Sequence, residues 1–588
     1  MRRCLALLLL AASAAAAQEK KDELTRVAYA VNVSNPEGGT VRVDMAVTHS
    51  DGDEVRVAIP AWAPGAYRIV RYCKDVRDVR AADAAGGKLD VESLDEQTWK
   101  VRTRGAREFT VTYDLSVERS RMDRDHCFLA GPDTYFYVVG RKEAPCRVRF
   151  AIPEGWKVGT PLDREGDEYR ARDYDTFIDC PTELGKFELF EFDQDGARYQ
   201  LVVHATGPVD GAKLVEMCRR VVAEQNRMFG KLPFRRFVFL YHFRGGSGGH
   251  GLEHLNSTNI TLPYLAIKAD PMLAASITSH EYFHLWNVKR IRPFNLGPFD
   301  YTQPVRTKDL WFCEGGTSYF GDRTLARCGI WSEDRYLLHL SSEVETLQNN
   351  PDRLVTSVEK ASSSVWDRKD YPRVDYYNKG ELLGLLIDLR MRWASGGKKS
   401  FDDVLRHLYE EYCVKPAREG KGWIGMGFPE DGILKALNEV SGEDWKEFYG
   451  KYVSGVDELP YAAVLGPPGL SVNLTLSRQA DLGFPLRGTT VLSVPPGSEA
   501  ERAGLKANDR VSAINGVEVT RSNIWQEIGK LKAGGEAGLT LQRDGTSVEA
   551  TLKVGTRERA SCRVRRAENL SDLQRGILDA WLHRRREF

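Results

Sequence analysis

Residues 274–293 read AASITSHEYFHLWNVKRIRP. Asp270 and Pro271, just ahead, are a helix start: an N-cap carboxylate followed by proline at a position that needs no N–H. In the helix that follows, His280 and His284 stand one turn apart on the same face. Two imidazoles so placed can reach a single Zn²⁺, each at about 2.0–2.1 Å. Glu281 lies about 100° round the helix, near the metal but not on it, where a carboxylate can accept a proton from an attacking water. A merely structural zinc needs no such base, so the pattern points to chemistry. A catalytic zinc takes three protein ligands and keeps one position open, and a third ligand is therefore required. The next helical pattern, DLWFCEGGTSYFGDRTLA (residues 309–326), carries Glu314 followed by glycine, which lets it approach a neighbouring helix closely. Taken alone, Glu314 is better read as a solvated or paired acid than as a ligand.

The chain has 588 residues, too many for one hydrophobic core, so three or four domains are expected. Lys+Arg and Asp+Glu both number 83. A zero net charge excludes nucleic acid and anionic membrane as general partners, while leaving room for a local basic patch. MRRCLALLLLAASAAAAQEKK at the N-terminus has a basic start, an apolar run and small residues before Gln18. This reads as a secretory signal peptide over 1–17, cleaved near Ala17/Gln18, because the apolar run is well short of the roughly 20 residues a span needs. No second run of spanning length follows. The expected location is therefore the periplasm or the extracellular space, without stable membrane insertion. Nine cysteines remain after the signal, scattered and odd in number, so at least one is expected to be free.

From about Glu23 to Leu201 short alternating runs such as TVRVDMAVTH and EFTVTYDLSV are bounded by turn residues, which predicts a β-sandwich-like domain over 18–205. Helical periods then dominate 206–462. Gly466 to Gly469 reads as a linker, with a small αβ unit over 463–556. The tail, 557–588, reads as helical and capped by Ser571. The fold class is thus multidomain α+β.

A family resemblance accounts for these pieces together. His280-Glu281-x-x-His284-x-Trp286, then Glu314-Gly315 with Tyr319, resembles the zinc sites of aminopeptidase N-like gluzincins, thermolysin-like and mainly helical. The resemblance makes Glu314 the third ligand of one Zn²⁺ per chain. GGSGGHGLEHLNST (245–258) resembles the segment that holds a substrate's free α-amino group, with Glu253 as the carboxylate and Gly251 beside it. VDYYNKGELLGLLIDL (374–389) resembles the tyrosine-x-lysine-glycine segment, with Tyr377 as the oxyanion donor. The thirty-residue step from His284 to Glu314 is longer than those enzymes show. That step, PAWAPGAYRIVRY (60–72), YDTFIDCPTELG (174–185) and a C-terminal PDZ-like segment resemble the glycyl aminopeptidase family of secreted bacterial zinc metallopeptidases. The resemblance implies an aminopeptidase acting on peptides with small N-terminal residues such as Gly or Ala. Leu482-Gly483-Phe484 resembles the PDZ loop whose backbone N–H groups capture a C-terminal carboxylate, so peptide tails are expected partners there. An endopeptidase that recruits protein substrates through its PDZ domain, and an inactive binding scaffold, are the alternatives.

Overall fold

The computed structural model describes residues 25–49, 52–367, 374–421 and 426–582. The expected signal peptide lies outside them. None of the described helices is long and apolar enough to cross a membrane. The chain forms two compact units: residues 1–336, 352–469 and 567–588 make the first, and residues 337–351 and 470–566 the second.

The first unit begins with strands whose alternating side chains share one core. Val41, Val43 and Met45 of Thr40–Thr48 are buried with Val111 and Tyr113 of Glu108–Ser116, and with Val57 and Val101 of two further strands. One apolar cluster filled from both layers is what a β-sandwich requires. A five-stranded sheet follows, in the order 188–194, 197–205, 236–244, 257–263 and 250–253. Its middle strands are parallel, and His250–Glu253 is an antiparallel edge. The sequence reading placed Ala197–Ala205 (RYQLVVHA) in the sandwich domain; it instead pairs in parallel with Arg236–Arg244. Alternation identifies a strand but not the sheet it joins.

Asp270 caps as expected, accepting from the Met272 N–H at 3.1 Å, and a 3₁₀ turn leads into the helix Ala275–Phe283. Tyr376–Ala394 is capped by Asp375, which accepts from the Tyr377 N–H at 2.9 Å. Ser571 accepts from the Gln574 N–H ahead of the helix Asp572–Leu582. That helix packs on the peptidase core: the Trp581 indole N–H donates to the Tyr319 hydroxyl at 2.9 Å, and Arg327 donates to the carbonyls of Ala580 and Trp581.

Residues 557–566, expected within the helical tail, are strand. Gly555–Arg566 pairs antiparallel with Leu470–Asp481 as a twelve-residue ribbon in the second unit. The alternation of small apolar and arginine residues there has period two, which the charge of the segment masks. Beyond the ribbon a separate core gathers Leu482, Phe484, Val491, Val511, Leu539 and Leu541. None of the nine described cysteines is disulfide-bonded to another described residue.

Glu183 joins the sandwich to the sheet. It accepts from His126 Nδ1 at 3.1 Å and from His242 Nε2 at 3.0 Å, the latter on the central strand. Burial alone would raise its pKa, but these bonds outweigh burial and bring it to about 2. A carboxylate depressed in the folded state stabilises above its unfolded pKa, near 4.3, and less as pH falls through the folded value. The urea midpoint of Glu183→Gln should therefore lie below wild type at pH 7, with the gap closing between about pH 4.3 and 2. A gap independent of pH would show that the carboxylate charge is not what stabilises.

Candidate active site

Three helices and one strand meet at the site. His280 and His284 come from the first helix, and Glu314 from the π-helical turn Trp311–Gly316 that continues as Thr317–Arg327. His284 Nε2 lies 3.0 Å from His280 Nε2 and 3.3 Å from Glu314 Oε2, and His280 Nε2 lies 3.6 Å from that same oxygen. Two donors bound at about 2.0–2.1 Å to a tetrahedral ion stand about 3.3 Å apart. The three atoms therefore already have the separation that zinc demands.

The chemistry of the donors agrees. His284 Nδ1 lies 2.7 Å from the carbonyl oxygen of Asn287. A carbonyl only accepts, so Nδ1 carries a hydrogen, and Nε2, which faces the other donors, is the nitrogen left to bind a metal in place of a proton. The Asn287 amide is itself fixed, donating to the Phe312 carbonyl at 2.8 Å. The Asn287 side chain is fully buried. His280 Nδ1 is 3.3 Å from Ser318 Oγ. Buried Glu253, Glu281 and Glu314 surround the two imidazoles. Burial would lower the pKa of His284, yet Glu314 and the other two carboxylates lift it to about 10. Glu314 falls to about 2 despite burial, chiefly through His284. Such a pocket favours a cation.

Glycines set the approach of the elements. A Cβ on Gly315 would lie 2.5 Å from Gly380 Cα, and one on Gly380 would lie 2.2 Å from the Trp311 carbonyl oxygen. The Glu-Gly and Tyr-x-Lys-Gly segments are thus two sides of one backbone contact. A Cβ on Gly251 would lie 2.1 Å from Glu281 Oε1, so the glycine of the edge strand makes room for that carboxylate. Glu281 Oε2 is buried without a hydrogen-bond partner, and burial pushes the carboxyl up to about 8. Tyr377 stacks on the His280 ring at 6.1 Å between centroids, and it is 37% exposed.

Glu253 ends the edge strand beside Glu281 and His284. No described Lys or Arg makes an ion pair with its carboxylate, and burial raises its pKa against the opposing charges of His284 and Lys289. Sequence reasoning missed what covers it. The loop 60–72 brings Gly65 so close that a Cβ there would lie 2.7 Å from both Glu253 oxygens, and Gly65 itself has φ +89°. Tyr67 follows, buried at φ +44°, a conformation costly for tyrosine and found where surrounding structure enforces it. Asp179, within the other quoted segment of the first domain, accepts from His254 Nδ1 at 3.1 Å, Lys289 Nζ at 2.8 Å and the Leu255 N–H at 2.7 Å. Arg290 donates to the Leu255 carbonyl and to Asn256 Oδ1. The connection after His284 therefore clamps the turn that follows Glu253. In the second unit Leu482 and Phe484 are buried, and Gly483 between them has φ +77° and is exposed.

Three family models match in order: the peptidase M61 N-terminal domain over residues 28–186, M61 glycyl aminopeptidase over 274–383, and the PDZ domain over 468–554. The crystal structure of an aminopeptidase N family protein from Idiomarina loihiensis covers 95% of this chain and 100% of its own, with a TM-score of 0.84 and 24% identity. That likeness carries the fold. An M1 zinc metallopeptidase from Deinococcus radiodurans matches at a TM-score of 0.46 and 13% identity, covering 74% of this chain and 95% of its own. A probable periplasmic serine protease do/HhoA-like from Haemophilus influenzae is 36% identical over 92 residues, 16% of this chain. The match spans a fifth of that curated relative's length. Both M61 models thus match in sequence order, the M61 N-terminal domain over the β-rich domain and the M61 glycyl aminopeptidase domain over the three-donor centre, and together they account for just under half of the chain.

Proposed function

We propose that this protein is an exported zinc aminopeptidase that removes small residues, Gly or Ala, from peptide N-termini. The observation that carries the reading is Glu253: a buried carboxylate beside the three-donor centre, with no described Lys or Arg ion-paired to it and walled by Gly65. An unpaired buried carboxylate is costly until a cation arrives, and the α-ammonium of a substrate supplies one. A cavity of about 50 Å³ bordered by Trp62, Tyr67, Glu253 and Phe299 fits a small first residue.

Zn²⁺ held by His280, His284 and Glu314 would activate water near neutral pH and polarise the scissile carbonyl. Glu281 takes the proton of the attacking water at Oε2, the oxygen left without a partner, and delivers it to the leaving nitrogen. The Tyr377 hydroxyl donates to the oxygen on which charge develops. Glu253 orients the substrate by its ammonium, and Gly251 leaves Glu281 in place. In the second unit, Leu482, Gly483 and Phe484 offer backbone N–H groups to the carboxylate of a peptide tail.

Glu281→Gln should keep bound zinc while losing about 10²–10⁴ in kcat. Unchanged turnover would remove Glu281 as the base. Tyr377→Phe should lower kcat about 10²–10³-fold with little change in KM, and an effect confined to KM would exclude the oxyanion role. A peptide with a free glycyl N-terminus should be hydrolysed, and its acetylated form left intact. Equal cleavage of both would favour an endopeptidase, and cleavage of neither by the zinc-loaded protein a binding scaffold.

A further inference from the structure

The ribbon of the second unit carries a pattern that peptide hydrolysis does not use. In Gly555–Arg566, Ala560, Cys562 and Val564 are buried, while Arg557, Arg559, Ser561, Arg563 and Arg565 are exposed on the other face. Their partners on Leu470–Asp481 are short or uncharged: Gln, Ser, Thr, Asn and Ser in register. None of the four arginines makes an ion pair with a described residue. Arginines two residues apart stand about 6.7 Å from one another, within a Debye length, so the row repels itself. In a chain of zero net charge this is a local concentration awaiting an anion.

The ribbon's two edges differ. On the arginine strand the outward N–H groups of Ala560, Cys562 and Val564 donate to Asn349, Glu345 and Ser341 at 2.9, 2.7 and 3.0 Å. Antiparallel register then puts the outward backbone groups of the other strand on Val472, Leu474 and Leu476, the partners of those three. They bond no described residue. Leu474 and Leu476 are 39% and 66% exposed, on the face away from the arginines. An unpaired, partly apolar edge is a template for another strand.

We propose that the outer edge of Leu470–Asp481 docks an extended polypeptide segment alternating acidic and apolar side chains. Added there as a third strand, its carboxylates share the arginine face and its apolar residues flank Leu474 and Leu476. The added strand lies about 9.5 Å from the arginine strand, a distance bridged by guanidinium and carboxylate side chains reaching over the short residues between. The arginine face has no aromatic ring on which nucleobases stack. Its apolar side chains point the opposite way, so a bilayer cannot engage both features at once.

The test uses the full chain and a fluorescent heptapeptide, Glu-Val-Glu-Leu-Glu-Val-Glu, N-acetylated and C-amidated to keep it from the amine and carboxylate sites. Fluorescence anisotropy should show saturable binding, weakened about tenfold or more in Arg559→Glu/Arg563→Glu. Leu474→Pro removes one outward N–H at an edge where proline is tolerated, and should weaken binding about threefold. Hydrolysis of short unblocked peptides should be unchanged in both variants, and their far-UV circular dichroism and thermal unfolding should match wild type, which reports an intact second unit. Equal binding by either variant would overturn the proposal. So would equal affinity for a peptide of the same composition with its acids contiguous, or for oligothymidylate or phosphatidylglycerol vesicles.

Discussion

The active centre depends on the backbone contact between Gly315 and Gly380. Helices normally pack 8–10 Å apart because side chains separate them. Here neither glycine has space for a Cβ, and the turn carrying Glu314 lies directly against the helix Tyr376–Ala394, which carries Tyr377 in its first turn. Gly321, on the same helix as Glu314, would place a Cβ 3.2 Å from the His280 backbone. Two close approaches thus set the third ligand relative to the histidines and to the tyrosine. The π-helical turn at Trp311–Gly316 belongs to the same arrangement, since such turns concentrate at functional sites.

The second constraint comes from the N-terminal domain. Gly65 closes over Glu253, and Asp179 fixes the turn after it through His254, Leu255 and Lys289. The β-rich domain therefore helps to build the pocket around Glu253. It also explains the long step between His284 and Glu314. Lys289 and Arg290 spend their charge on the turn beside Glu253, and Arg292 donates to the Leu296 carbonyl. A shorter connection has no residues to give to that turn.

What the sequence made legible follows from distance along the chain. His280, Glu281 and His284 are fixed by helical geometry, so their juxtaposition could be read from spacing alone. Glu314 and Tyr377 are tens of residues away and needed the family resemblance; the chain-local clue was the glycine next to each. Gly65, Tyr67 and Asp179 were quoted only as parts of motifs, because nothing local tells a loop glycine that a carboxylate sits against its α-carbon. The strands 197–205 and 557–566 were misplaced for the same reason. Period-two alternation is local, whereas sheet membership is decided by partners 38 and 78 or more residues away. The odd cysteine count required one free thiol, and no disulfide joins any two of the nine described cysteines.

The central claim is that two imidazoles and one carboxylate from separate helices form a single zinc site. X-ray absorption at the zinc edge, on protein reconstituted to saturation, tests it most directly. The account predicts one zinc per chain with two nitrogen ligands near 2.0–2.1 Å and oxygen ligands at about 2.0–2.2 Å, with one nitrogen lost in His284→Ala. A sulfur shell near 2.3 Å, or a spectrum unchanged by that substitution, would contradict it.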